Sequence, residues 1–156
     1  MSFWGDLKKG NETEIKISLL YEKEGYTRLE KRDDGKYDLL LKKDDIIRSF
    51  EVKTDFYVRP DKDSGNIFVE YEYKNRPSGI STTEADWWIN YFHNLKEIWY
   101  IKTDDLKDLI EEYTFLTTYQ SGDDGSNTRG YLIPRNETEI KKYFKVKKID
   151  LSSIYK

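Results

Sequence analysis

The segment FEVKTD, residues 50–55, sets Glu51 and Lys53 two positions apart in an aromatic and β-branched run that reads as a strand. Side chains alternate along an extended chain, so Glu51 and Lys53 share one face and Phe50 and Val52 the other. Asp38 opens the preceding strand in KYDLLL, with twelve residues between it and Glu51. A tight hairpin through Asp44 and Asp45 would set the two carboxylates side by side. Neighbouring carboxylates repel, a cost that a bound divalent cation removes, and a lysine beside them can position a water or offset developing negative charge. The chemistry to which such a set points is metal-assisted hydrolysis. Glu-x-Lys spacing alone is a weak signal, because Glu14 with Lys16, Glu72 with Lys74 and Glu139 with Lys141 also show it. Taken singly, Asp38 would be a polar strand end and Glu51 with Lys53 a solvated pair; their joint order and spacing carry the catalytic reading.

Composition narrows the alternatives. The 156 residues fit one domain, residues 1–156, with a real core. The absence of cysteine excludes a disulfide framework, a thiolate nucleophile and a cysteine zinc site. His93 is the sole histidine, which makes a Ser-His-Asp triad or a histidine metal cage a poor fit. A net charge of -3 argues against indiscriminate polyanion binding but leaves room for a local basic patch. Charged residues make up 37%, yet aromatics at 15% supply what a folded core needs. MSFWGDLKKG carries no long apolar stretch and no other segment would span a bilayer, so a cytoplasmic protein without membrane partners is expected.

The elements that must position these residues follow from periodicity. Ile17, Leu20 and Tyr21 recur at helical spacing between Thr13 and Glu24, with Asn11 or Thr13 as cap and Gly25 as stop. Next come a hairpin of YTRLEKR and KYDLLLKK, a third strand in DIIRSFEVKTDFYV and a fourth in IFVEYEYK, read as an antiparallel meander. TTEADWWINYFHNL reads as a helix, EIWYIK as a strand and TDDLKDLIEEYTF as a helix with Asp104 and Asp105 in its first turn. YQSGDDGSNTRG reads as a loop, RGYLIPR as a short strand that Pro134 confines to an edge or end, and 138–144 as one or two helical turns. The predicted fold class is α/β, with a mixed central sheet flanked by helices.

The stretches EIKISLLYEKEGY (14–26), YDLLL (37–41), FEVKTD (50–55) and GNIFVEYEYKNRPSGISTTEADWW (65–88) together resemble the PD-(D/E)XK, or restriction-endonuclease-like, nucleases. The likeness is to their small phage and bacterial branch and its junction resolvases. Tyr37 stands where that family usually carries proline. The resemblance implies an αβββαβ core and a Mg²⁺-dependent phosphodiesterase, with Mn²⁺ able to substitute. It implies Asp38, Glu51 and the Val52 carbonyl as metal ligands. Lys53 would orient or deprotonate the attacking water, and Glu14 would hold a water of the metal or a second cation. Glu70, in the strand that this family brings toward its metal, would support the site.

DNA is the expected partner. Lys8, Lys9, Arg59, Lys62, Lys74, Arg76 and Arg129 are the cations that this topology puts nearest the site, though many such residues are only solvated. The turn carrying Ser78, Thr82 and Thr83 offers small residues and free amides suited to a phosphate, or else an ordinary capped turn. Asp86-Trp87-Trp88 reads as core. With room for the catalytic core and little else, a structure-specific endonuclease of the junction-resolvase or phage recombination type is favoured, acting as a homodimer on symmetric substrates. The alternatives are an inactive nuclease-fold module that binds nucleic acid or protein, and an interaction domain using its thirteen tyrosines.

Overall fold

The computed structural model describes residues 3–30, 36–113, 115–121 and 127–154, with the backbone alone for 3–11 and 116–121. In chain order the elements are α1 (Phe3–Glu22), β1 (Thr27–Leu29), β2 (Leu39–Lys43), β3 (Ile46–Asp55), β4 (Asn66–Tyr73), β5 (Arg76–Pro77), β6 (Trp87–Phe92), β7 (Glu97–Lys102), α2 (Thr103–Glu112), β8 (Leu116–Ser121), β9 (Asn127–Pro134), α3 (Thr138–Lys141) and β10 (Lys145–Lys148). Six strands form a mixed sheet in the order β1-β2-β3-β6-β7-β10, and four form a second sheet, β5-β4-β9-β8. In the first sheet only β3 and β6 pair in parallel. The α/β class and the mixed central sheet are those that the sequence predicts. Among the described residues no helix is long and apolar enough to cross a membrane.

Each face of the six-stranded sheet packs on a different set of partners. Phe50, Val52, Ile89 and Tyr91 pack with Ile17 of α1 and with Leu151 and Ile154 near the C-terminal end. Trp88, Phe92, Trp99 and Ile101 pack on the other face with Ile67 and Val69 of β4, Ile133 of β9 and Leu106 and Leu109 of α2. Gly25 ends α1 as predicted: at φ +97 it carries the left-handed turn. There the Tyr26 N–H donates to the Tyr21 carbonyl at 3.2 Å and the Gly25 N–H to that of Glu22 at 3.1 Å, so the last carbonyls of the helix are satisfied. Arg135, just past β9 and only 2% exposed, ties the two sheets together. It pairs with Asp63, donates to the Asn66 carbonyl at 3.1 Å and lies 4.5 Å from the Phe92 ring centroid.

Four local expectations are corrected. The helix expected over TTEADWWINYFHNL is β6 with its flanking turns. A strand buried on both faces shows an unbroken apolar run with no alternation, which periodicity cannot tell from a buried helix. As a strand, adjacent Trp87 and Trp88 point to opposite faces, Trp88 into the core and Trp87 half-buried against the other cluster. The first helix begins at Phe3 rather than near Thr13. β4 leaves the meander for the second sheet, and β3 takes β6 as its neighbour instead. The segment read as a loop, YQSGDDGSNTRG, is largely the β8–β9 hairpin, with 122–126 outside the described residues.

Candidate active site

The β2–β3 hairpin does the first part of the positioning. Leu39 pairs with Phe50, and the Asp38 N–H donates to the Phe50 carbonyl at 2.9 Å. One step further in that antiparallel register, Asp38 stands opposite Glu51, and opposed residues share a face. The Asp38 carboxylate accepts the Val52 N–H at 2.8 Å, which fixes one of its oxygens against the strand. Lys53 lies on the same face as Glu51, with Nζ 3.5 Å from Glu51 Oε1. The Lys53 ammonium also sits 5.9 Å from the ring centroid of Trp88, the cross-strand neighbour of Glu51. The side chains of Glu51 and Lys53 are 10% and 39% exposed, so the carboxylate lies inside the cleft and the ammonium at its mouth.

Burial and charge act together on Glu51. Its carboxyl is pushed up to about 7, first by desolvation and then by the Asp38 charge, while Lys53 pulls the other way and Glu14 adds a smaller repulsion. One of its oxygens, Oε2, is buried without a hydrogen-bond partner. An unpartnered buried carboxylate oxygen is costly, and a cation would remove that cost. Among the described residues, no three His, Cys, Asp or Glu side chains converge into a ready metal cage. Glu14 is half-buried on α1, the helix packed against the Phe50 and Val52 face, and its charge is nevertheless felt at Glu51.

The remaining sequence candidates are dispersed. Glu70, on β4 in the second sheet, is not among the charges that chiefly set the Glu51 pKa. Its backbone is instead the wall against which Gly79 packs: at φ +54, a Cβ on Gly79 would stand 2.1 Å from the Glu70 carbonyl oxygen. In the turn after β5 several of the amides expected to be free are taken within the fold, the Ser78 N–H by the Tyr71 carbonyl at 3.1 Å and the Ser81 N–H by that of Ser78 at 3.0 Å. The N–H groups of Thr82 and Thr83 both donate to the Gly79 carbonyl, at 3.1 and 2.9 Å. The Thr83 hydroxyl bonds the Lys36 carbonyl at 3.3 Å, the Ser78 hydroxyl is buried, and Thr82 is exposed. Arg59 is exposed in the turn after β3 and pairs with Asp61 at 3.5 Å. Lys74 and Arg76 are exposed at the β4–β5 turn, where positive φ at Lys74 (50) and Asn75 (63) suits a two-residue hairpin. The side chains of Lys8 and Lys9 lie outside the described residues. The structure thus gathers Asp38, Glu51 and Lys53, with Glu14 at longer range, and leaves Arg59 on one turn, Lys74 and Arg76 on another, and Arg129 on β9 paired with Glu72 at 2.9 Å.

Sequence reasoning placed Asp86 in the core and missed its work. Its carboxylate accepts the Ser49 N–H at 2.9 Å while its own N–H donates to the Ser49 carbonyl at 3.0 Å, which aligns the start of β6 with β3. An aspartate just before an aromatic run was the available signal.

The Asp38 to Val52 bond has a measurable consequence. Asp38→Asn and Asp38→Ala both remove the charge, but only Asn keeps an oxygen for the Val52 N–H. Asp38→Ala is expected to be less stable than Asp38→Asn by about 1–3 kcal/mol. Equal urea midpoints for the two would show that the bond contributes nothing.

Comparison of the sequence with protein-family models finds no match, and comparison with curated proteins finds none either. Among solved structures, the chain is similar to the bacterial homing endonuclease I-Ssp6803I, with a TM-score of 0.52 and 16% sequence identity over 87% of this chain and 86% of that one. The likeness is one of fold. It extends over most of both chains.

Proposed function

We propose that the protein is a metal-dependent endonuclease that hydrolyses DNA phosphodiester bonds, with Asp38 and Glu51 as the protein ligands of a Mg²⁺ ion. The observation that carries this reading is the buried, unpartnered Glu51 oxygen opposite Asp38 and beside Lys53. The fold shared with a bacterial homing endonuclease supports it. Two carboxylates without a third suit Mg²⁺, which keeps several waters and takes one or two carboxylates plus substrate phosphate oxygens. A bound divalent cation would supply a nucleophile at neutral pH and charge compensation at the phosphoryl oxygens.

The chain's own groups do the rest. Val52 N–H holds the Asp38 carboxylate in a fixed orientation, so little ordering remains for the moment of binding. The Glu51 carboxylate sits in a desolvated cleft, where its attraction for a cation is strong. Lys53, held between Glu51 and the Trp88 ring, presents a positive charge at the mouth where a phosphate would enter. It orients the attacking water or offsets charge on the phosphate. Glu14 biases the electrostatics of the cleft from α1. The order Glu14, Asp38, Glu51, Lys53 supports membership of the PD-(D/E)XK group, and the finer form of the reading is a structure-specific cutter that works as a homodimer on both strands of a symmetric substrate.

The test is incubation of the protein with linear duplex, single-stranded and four-way-junction DNA, with Mg²⁺ and with chelator. Mg²⁺-dependent cleavage is expected, and its absence on all three would leave a binding module. Lys53→Ala should lower the cleavage rate by about a hundredfold or more while leaving metal binding intact. Lys16→Ala, the same motif position on α1, should change little. Full activity in Lys53→Ala would remove Lys53 from the mechanism.

A further inference from the structure

The face of the six-stranded sheet opposite the carboxylate cleft is not fully covered. α1 ends at Glu22 and the chain turns away through Gly25, so the helix reaches Leu39, Phe50, Val52 and Ile89 but not the whole sheet. Between α1 and the edge strand β10 a groove of about 230 Å³ remains, lined by Tyr21, Arg48, Trp87, Tyr100, Lys145 and Lys147 among others. Trp87 and Tyr100 are half-buried neighbours with ring centroids 6.0 Å apart and an interplanar angle of 52°. Their cations follow from register. Lys145 pairs with Tyr100 and Lys147 with Ile98, which places both lysines on the same face as the rings. Arg48 stands on that face two positions before Phe50. Lys102 closes the row, with Nζ 5.9 Å from the Trp87 centroid. The acidic residue lining the groove, Glu24, lies 4.0 Å from Lys147 in an exposed pair that a phosphate can displace.

Half-exposed aromatic rings flanked by cations form a surface on which a base can stack while its phosphates meet positive charge. Bases within a duplex are stacked on one another and show only their edges, so such a platform selects unpaired nucleotides. We propose that this groove binds single-stranded DNA, with a base against Trp87 and Tyr100 and the flanking phosphates against Arg48, Lys145 and Lys147. The proposal rests on the nuclease reading only for its choice of DNA. It deepens that reading by making the substrate one with an unpaired stretch, held on the side of the sheet away from the cut.

The test is binding of the full chain, without added metal, to a twelve-residue oligo(dT) and to a duplex of equal length. Intrinsic tryptophan fluorescence is a readout, since Trp87 lines the groove while Trp88 and Trp99 are buried in the core, and the part of the quenching that Trp87→Phe removes is separated from any contribution of Trp4. Oligo(dT) should quench it and bind more tightly than the duplex. Trp87→Ala should weaken oligo(dT) binding by roughly five- to hundredfold, the range for losing one base stack, and Trp87→Phe by less. Lys145→Gln with Lys147→Gln, on an exposed edge strand where folding is not at stake, should reduce the salt slope of binding by roughly 1.4. Equal affinity for duplex and oligo(dT), or unchanged binding in both the Trp87 and the lysine variants, would overturn the proposal. So would a wild-type dimer that Trp87→Ala converts to monomer, because a second copy would then fill the groove. Groove binding without any Mg²⁺-dependent cleavage would leave this inference standing and remove the nuclease reading; cleavage without groove binding would do the reverse.

Discussion

Glu51→Gln is expected to abolish Mg²⁺-dependent cleavage and, in the absence of metal at pH 8, to raise the melting temperature. Both effects come from one carboxylate. The Glu51 carboxyl titrates at about 7 in the folded protein against 4.5 for a free group. A carboxyl that holds its proton more tightly when folded gives its full stabilisation below about pH 4.5 and loses it as the pH rises through about 7. Above that, the ionised group costs the metal-free fold at most roughly 3 kcal/mol, worth several degrees of melting temperature in a chain of this size. Gln keeps the volume and discards the charge, so the variant should lack that fall in stability between acid and neutral pH. Added Mg²⁺ should stabilise the wild type at pH 8 and not the variant. Calorimetry at pH 5 and pH 8, with and without Mg²⁺, reads all of this. A wild type whose stability is flat over that range would show that Glu51 is not desolvated, and a variant that still cuts would show that it is not a ligand.

The largest loss of stability is expected at Arg135. Its guanidinium is 2% exposed and joins Asp63, the Asn66 carbonyl and the Phe92 ring across the two sheets. Truncating a large, fully buried side chain typically costs about 2–5 kcal/mol through lost packing and the cavity left behind, a large part of the roughly 5–15 kcal/mol that holds a domain folded. Arg135→Ala should therefore be largely unfolded or unfold at much lower denaturant. Arg135→Met should lose less. It restores packing against Phe92 and Trp99, and Asp63, whose side chain is 25% exposed, can turn to water. Chemical denaturation of the two variants ranks them. An Arg135→Ala midpoint equal to that of the wild type would mean that the sheets are held by their apolar contacts alone.

The sequence by itself determined what depends on short stretches of chain. The shared face of Glu51 and Lys53 follows from strand alternation, and the opposition of Asp38 and Glu51 from a local hairpin. The stop at Gly25 and the helix after Lys102 follow from turn and helix signals of a few residues. Tertiary structure decided what depends on distant partners. WWINYF became a strand because β3 supplied a parallel neighbour and both faces found apolar cover, which no periodicity in that segment announces. β4 joined β9 rather than β3 because β6 had taken that edge. The turn expected to hold a phosphate spent the amides of Ser81, Thr82 and Thr83 on its own carbonyls, and Glu70 went to the second sheet. Burial, finally, is not a property of a residue type. Glu51 reads in sequence as an exposed charge on a strand, and only the packing of two sheets around it removes the water that would have kept it an ordinary carboxylate.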